Sequence, residues 1–213
     1  MPAIASPPRK MGLRQKQKIE RQNLILEVAQ KRFSEMGYVD TTIESIADEV
    51  GMSAVTVFNY FGSKVGLLFA LVKESDTRLL AKLRTLSDEG HEEAVEAVAE
   101  FAHIIHDNAT TYLTKRLWRR VLAASIVEQS SEFRTQYKEL DLELQKQLGH
   151  LLVALQHSGK LTKDAPIVEM TETLFMLQNS RFVQYMSSDT ISDAEADKLF
   201  RADASLVLEQ FSN

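Results

Sequence analysis

Helix breakers are nearly absent from this chain. Of its 213 residues eight are glycine and four proline, and three of those prolines fall within the first eight positions. A polypeptide this poor in breakers, with apolar residues recurring every three or four positions and no strand-like alternation, is predicted to be all-α. Hydrophobic residues make up 44% and charged residues 26%, enough for a substantial core in a globular protein. The absence of cysteine removes disulfides, thiolate metal sites and thiol nucleophiles from consideration. No apolar run approaches the roughly 20 residues of a membrane span, and no signal-peptide core follows the N-terminus. A cytoplasmic protein with no membrane partner is expected.

Turn and cap residues divide the chain into about nine helices, three short ones early and longer ones after. From about Arg14 a helical period carries Ile19, Ile25, Leu26, Ala29 and Phe33, and it stops where Gly37 can adopt the left-handed conformation. Thr41-Thr42-Ile43-Glu44 reads as a capping box, with Thr41 as N-cap and Glu44 reaching back from N3. The short helix it starts carries Ile43, Ile46, Ala47 and Val50. Gly51 ends that helix, Ser53 caps the next, and Gly62-Ser63-Lys64 leads into a fourth. Amphipathic segments then cover about 64–86, 91–108, 110–128, 132–157, 165–187 and 192–211, with one break placed at Asp107-Asn108 and a further capping box at Ser192 to Glu195. The expected organisation is a flexible basic arm over 1–13, a three-helix domain over 14–63 and a larger helical domain over 64–213.

Charge is distributed unevenly. The whole chain carries −5, yet residues 1–64 hold nine Lys/Arg against seven Asp/Glu, and residues 65–213 hold sixteen against twenty-three. Arg9, Lys10, Arg14, Lys16, Lys18 and Arg21 face the single acid Glu20 within the first 21 positions. A basic end on an acidic body suits a polyanion bound at that end, although a solvated tail has the same composition.

The stretch IADEVGMSAVTVFNYFGSK, residues 46–64, points to the nature of that polyanion. Two short helices that touch need a small residue at their contact and a turn residue tolerating positive φ. Ala47 and Gly51 meet those needs, and Ile46, Val50, Met52, Val57 and Tyr60 form the shared apolar face. Burying that face leaves Ser53, Ala54, Val55, Thr56, Phe58 and Asn59 directed outward or towards the helix start. The N-terminal half of such a helix can enter a DNA major groove, while Lys64 and the start of the fourth helix offer a cation and N–H groups to a phosphate. An Ala-x-x-x-Gly spacing alone also fits a helical corner that merely packs.

The longer stretch GYVDTTIESIADEVGMSAVTVFNYFGSKVGLL resembles the N-terminal domain of the TetR family of bacterial transcriptional regulators. Gly37, Thr41-Thr42, Ile46-Ala47, Gly51, Ser53, Thr56, Tyr60-Phe61, Ser63-Lys64 and Leu67-Leu68 carry the resemblance, which is close over about residues 20–70. It implies a homodimer on a double-stranded DNA operator, usually repressing, released when a small-molecule effector binds the C-terminal domain. Thr42, Ser53, Thr56, Tyr60 and Lys64 match positions that often contact phosphates in that family; Ala54, Val55 and Asn59 match positions that often face bases. Three residues depart from the family pattern. Val55 stands where a small residue is common and can offer its methyls to thymine. Phe58 replaces a usual tyrosine and has no hydroxyl to offer. Asn59 replaces an aromatic or basic residue and can make a bidentate contact with adenine.

In the larger half, segments 165–187 and 192–211 are apolar over wide faces, as at Leu174, Phe175, Phe182, Tyr185, Phe200 and Leu206. They are expected to form a four-helix homodimer interface with their symmetry mates, although the same faces can belong to the protomer's own core. His103, His106, Tyr112, Trp118, Tyr137, Gln178 and Asn179 are the candidate effector-pocket residues: polar or aromatic groups on otherwise apolar helices. Trp118 stands out as the sole tryptophan, with a large apolar body and one donor.

His103 and His106 lie one helical turn apart, with Glu100 a turn before. No other ligand cluster accompanies them, and no metal or other cofactor is assigned. A helical enzyme is disfavoured, since the sequence has no nucleophile elbow, phosphate loop or HExxH, and no catalytic residue is assigned. A regulator or activator without any small-molecule effector stays open.

Overall fold

The computed structural model describes residues 12–127 and 131–213, with backbone alone for 131–134. Nine α-helices occur among them: α1 Leu13–Glu35, α2 Ile43–Val50, α3 Ala54–Phe61, α4 Lys64–Asp88, α5 Ala94–Tyr112, α6 Lys115–Val127, α7 Ser131–His157, α8 Ile167–Ser187 and α9 Asp193–Leu208, closed by a 3₁₀ turn Glu209–Phe211. The chain is all-α, and extended pairing among the described residues is confined to an isolated bridge between Leu161 and Ser212. The described residues fall into two compact units, divided between Leu67 and Leu68. Of the proposed arm, positions 1–11 lie outside the described residues, and Leu13 already belongs to α1. Arg14, Lys16, Lys18 and Arg21 are exposed on that helix.

In the first unit, Ile25, Leu26, Ala29 and Phe33 of α1 are buried with Ile46 and Ala47 of α2, Val57 of α3 and Leu67 at the start of α4. α1 ends as its sequence predicts, with Gly37 at φ 83° after Met36. The start of α2 is one residue later than the sequence reading. Thr42 is the N-cap: its Oγ1 accepts from Ser45 N–H at 3.0 Å, and Ser45 Oγ accepts from Thr42 N–H at 3.2 Å. Thr41, assigned the cap from sequence, is instead fully buried. Its hydroxyl faces Gly37 O at 2.9 Å and Arg32 O at 3.2 Å, so it satisfies carbonyls at the end of α1. Two adjacent threonines satisfy the same cap pattern, and only burial separates them. Glu49 ties α2 to α1, accepting from Arg32 Nε at 2.5 Å and Lys31 Nζ at 3.2 Å. Those hydrogen bonds, Arg32's first, hold its carboxyl below the ordinary value of 4.5.

The second unit is a bundle in which α5 and α8 pack on α9, α7 on α8, and α6 on both α7 and α8. The predicted break at Asp107-Asn108 does not occur, and α5 runs on to Tyr112. Asn108 is buried there, and Thr110 returns its hydroxyl to His106 O at 3.0 Å, a bond that lets a polar residue sit inside a helix. The break falls at Leu113, extended at φ −137°, after which Thr114 O accepts from the first N–H groups of α6. Ser192 Oγ accepts from Glu195 N–H at 3.2 Å at the start of α9.

Candidate functional site

α2 and α3 have eight residues each, too short to hold a helix in isolation. Tertiary burial of Ile46, Ala47 and Val57 therefore supplies their stability. Gly51 makes the turn between them at φ 67°, and its amide donates to Asp48 O at 3.2 Å. Ser53 caps α3: its Oγ accepts from Thr56 N–H at 3.1 Å and lies 2.8 Å from Thr56 Oγ1. The outward side of α3 then carries Ser53, Asn59 and two exposed apolar residues, Val55 at 68% and Phe58 at 56%. Ala54, Thr56 and Tyr60 are half-buried along its flanks, and Thr42 is exposed at the start of α2.

The turn after α3 depends on a residue that spacing alone did not single out. Phe61 O accepts from Ser63 N–H at 2.8 Å, and Ser63 Oγ accepts from Gly66 N–H at 2.9 Å. The chain folds back so closely that a Cβ at Gly66 lies 2.1 Å from the Phe61 carbonyl oxygen. Gly66 is therefore required for want of space. Lys64 Nζ donates to Val39 O at 3.2 Å and sits 4.4 Å from the centre of the Tyr38 ring. The loop after α1 thus already holds this cation.

The second unit contains a cavity of about 40 Å³ lined by side chains of α4 to α8. Leu79, Ile105, Leu140, Leu144 and Phe182 make its apolar wall. Trp118, Tyr137, Gln178 and Asn179 of the expected pocket set line it too, joined by Asp76, Asn108 and Asp141, which the sequence reading did not select. Trp118 presents only its apolar body, because its Nε1–H donates to Ala109 O at 2.8 Å and its ring stands edge-on to Phe182 at 5.1 Å. Burial raises the carboxyl pKa of Asp76 to about 7, with Lys73 working against the shift, and that of Asp141 to about 6. It also raises the Tyr137 hydroxyl, with Asp141 adding to the effect. Gln178 is 1% exposed, and neither end of its amide has a partner among the described residues.

His103, His106 and Tyr112 stand outside this cavity. Asp197 of α9 accepts from His103 Nδ1 at 2.8 Å and lies 3.6 Å from His106 Nδ1, beyond hydrogen-bond length. The buried His106 ring packs on Tyr185 and Phe182, and desolvation lowers its pKa against the pull of Asp197. The two histidines thus join α5 to α9. Tyr112 is occupied by Arg78, which bonds its hydroxyl and lies over its ring. Among the described residues no group of three or more His, Cys, Asp or Glu is placed to hold a metal ion, and no single helix is long and apolar enough to cross a membrane.

A helix-turn-helix with a capped, solvent-facing second helix defines a class of DNA-reading module. Residues 25–71 match the model of the bacterial regulatory proteins, tetR family. The transcriptional regulator HbdR of Aromatoleum sp. is 44% identical over 54 residues, 25% of this chain and about a quarter (24%) of HbdR's length. The transcriptional repressor AcnR of Corynebacterium jeikeium is 26% identical over 178 residues, covering 82% of this chain and 88% of AcnR. A putative TetR-family regulator from Mesorhizobium loti, 19% identical, superposes with a TM-score of 0.68 over 92% of this chain and 98% of its own. Over residues 25–71 the chain thus resembles the TetR family of transcriptional regulators, and over most of its length it shares the fold of the Mesorhizobium loti protein.

Proposed function

We propose that this chain is a homodimeric repressor that binds a palindromic operator through α2, α3 and the start of α4, and leaves it when a small molecule enters the cavity of the second unit. The observation that carries the DNA-binding half is the outward side of α3. Val55 and Phe58 are exposed apolar groups beside Ser53 and Asn59 on a helix whose other side buries Val57. Asn59 then reads an adenine edge, and Val55 and Phe58 meet thymine methyl groups or sugars. Ser53, Thr56 and Tyr60 take phosphates, together with Thr42, while Ala54 keeps the helix start close to the bases. Lys64 reaches a phosphate by exchanging its bond to Val39 O for one to DNA. Arg14, Lys16, Lys18 and Arg21 add charge along α1.

The homodimer is proposed through α8 and α9. Leu174, Phe175, Phe182, Tyr185 and Phe200 are used up in the protomer's own core, but Met176 (72% exposed), Val183 and Leu206 (81% exposed) remain outside. These large apolar groups on the last two helices are what a second copy can cover. Two copies then present two α3 helices to half-sites one turn of DNA, roughly 34 Å, apart.

Fluorescence anisotropy on the DNA upstream of the protein's own gene, against a scrambled duplex at about 0.15 M salt, tests the proposal. The expected preference is on the order of 10³-fold or more. Equal weak binding to that DNA and to genome-selected fragments overturns it. Light scattering of Leu206→Glu tests the interface, with monomers expected.

A further inference from the structure

We infer that the ligand of the cavity in the second unit is a small organic cation, an ammonium group on an apolar body, held between Asp76 and Asp141 and the rings of Trp118, Tyr137 and Phe182. The inference rests on the reading of this chain as a ligand-responsive regulator and names the chemical class that regulator answers to.

Charge decides the class. Among the described residues, the side chains lining the cavity include two carboxylates and no lysine, arginine or histidine. Neither Asp76 nor Asp141 has a hydrogen-bond or ion-pair partner among the described residues; exposed Lys73, on Asp76's own helix, acts on it only through its field. Partly buried carboxylates without a partner are costly, and a bound cation removes that cost by supplying the missing charge. An anion meets two like charges there, and a neutral ligand of the same shape deepens their desolvation without compensation.

The amide of Gln178 is a second, independent sign of a ligand. It is buried, lines the cavity and has no partner at either end among the described residues, so Oε1 can accept from an ammonium N–H and Nε2 can donate to a polar substituent. The aromatic rings complete a setting in which a cation gains from π faces while its apolar body gains from burial. At about 40 Å³ the cavity holds water-sized groups, far below the roughly 300 Å³ of an open ligand pocket. The ligand therefore enters by parting side chains of α4 and α7, the helices that carry the two carboxylates. Affinity rises with pH as those carboxyls ionise. Lys73 beside Asp76 and the Tyr137 hydroxyl beside Asp141 are the other titratable groups facing them, while α5, α6 and α8 contribute the neutral Asn108, Trp118, Gln178 and Asn179.

Trp118 is the sole tryptophan, so intrinsic emission reports from the cavity wall directly. The experiment titrates the full chain with benzylammonium, benzyl alcohol and benzoate, matched in size and differing in charge, and measures operator binding by anisotropy in parallel. A saturable Trp118 response to benzylammonium is expected, about tenfold weaker for the alcohol and absent for benzoate. Asp76→Asn or Asp141→Asn should weaken it about tenfold without lowering the unfolding temperature. An equal response to the alcohol, a preference for benzoate, undiminished binding in both variants, or no response to any of the three overturns the inference. Release of the operator by a neutral or anionic compound, with cations inert, discards the cation and keeps the ligand-responsive regulator. A broad library of all three charge classes that leaves operator binding unchanged discards both.

Discussion

Replacing Asp76 with asparagine isolates the cost of a partly buried carboxylate. The side chain lies on α4 at the cavity wall and has no hydrogen-bond partner among the described residues, so Asn keeps the shape and removes only the charge. Burial raises the carboxyl from 3.8 to about 7 in the folded state, against the opposing pull of Lys73; Asp141 and Tyr137 of α7 line the same cavity, and the described lining residues of α5, α6 and α8 are neutral. A raised folded-state pKa means that the folded protein holds a proton the unfolded chain has lost. Stability attached to this group is complete below about pH 4 and falls as pH rises towards 7.

At about 1.4 kcal/mol per pH unit the ceiling is about 4 kcal/mol, and partial exposure to solvent reduces it to about 2 kcal/mol. Asp76→Asn is therefore expected to stabilise the protein, by a margin that grows by about 1–2 kcal/mol between about pH 5 and pH 8. Urea unfolding at fixed protein concentration, run in parallel on both proteins across that range, measures the margin. A margin that stays flat, or that shrinks with rising pH, shows that Asp76 ionises freely and refutes the reasoning.

Gly66→Ala is expected to cost about 2–3 kcal/mol or to displace α3, since the new Cβ meets backbone at Phe61; retained stability together with unchanged operator affinity would contradict that geometry. Thr41→Val, which leaves the Gly37 and Arg32 carbonyls without a buried donor, should lower the unfolding free energy by about 1–2 kcal/mol in a denaturant titration, while Glu44→Gln, on the sequence-derived cap, should change it little. Lys64→Ala should weaken all duplexes alike and reduce the slope of log affinity against log salt by about 1. Asn59→Ala should instead flatten the preference between operators by about 1–3 kcal/mol at one base pair, so anisotropy across salt and across single-base variants distinguishes the two roles.

Element identity was legible because helices are marked at their ends. Gly37, Gly51 and Gly62 are read as stops, and each adopts positive φ in the fold; Ser53, Ser63 and Ser192 are read as starts, and each hydroxyl accepts the expected N–H. The two errors have one cause. Thr41 against Thr42, and Asn108 inside α5, are decided by burial, and a polar residue that bonds backbone while buried has the same local sequence as one that caps or breaks a helix in water. Gly66 escaped notice for a related reason. Glycine is recognised in sequence by the turns it permits, whereas here its value lies in the distance to a carbonyl five residues earlier.

The same limit governs the two candidate sites. The outward side of α3 could be read from sequence because eight residues with one buried face leave the other face fixed by helical geometry. The cavity draws single residues from five helices, and no period within any one helix marks them. Trp118, Tyr137, Gln178 and Asn179 were selected because polar or aromatic groups on apolar helices are conspicuous. His103, His106 and Tyr112 are equally conspicuous, but Asp197 engages His103, His106 packs on Tyr185 and Phe182, and Arg78 engages Tyr112. Asp76 and Asp141 were overlooked because an aspartate on an amphipathic helix ordinarily belongs to the solvated face. Their significance arises only where α4 and α7 bring them to one cavity with no cation among the described lining residues, which is the ground for proposing a ligand that brings one.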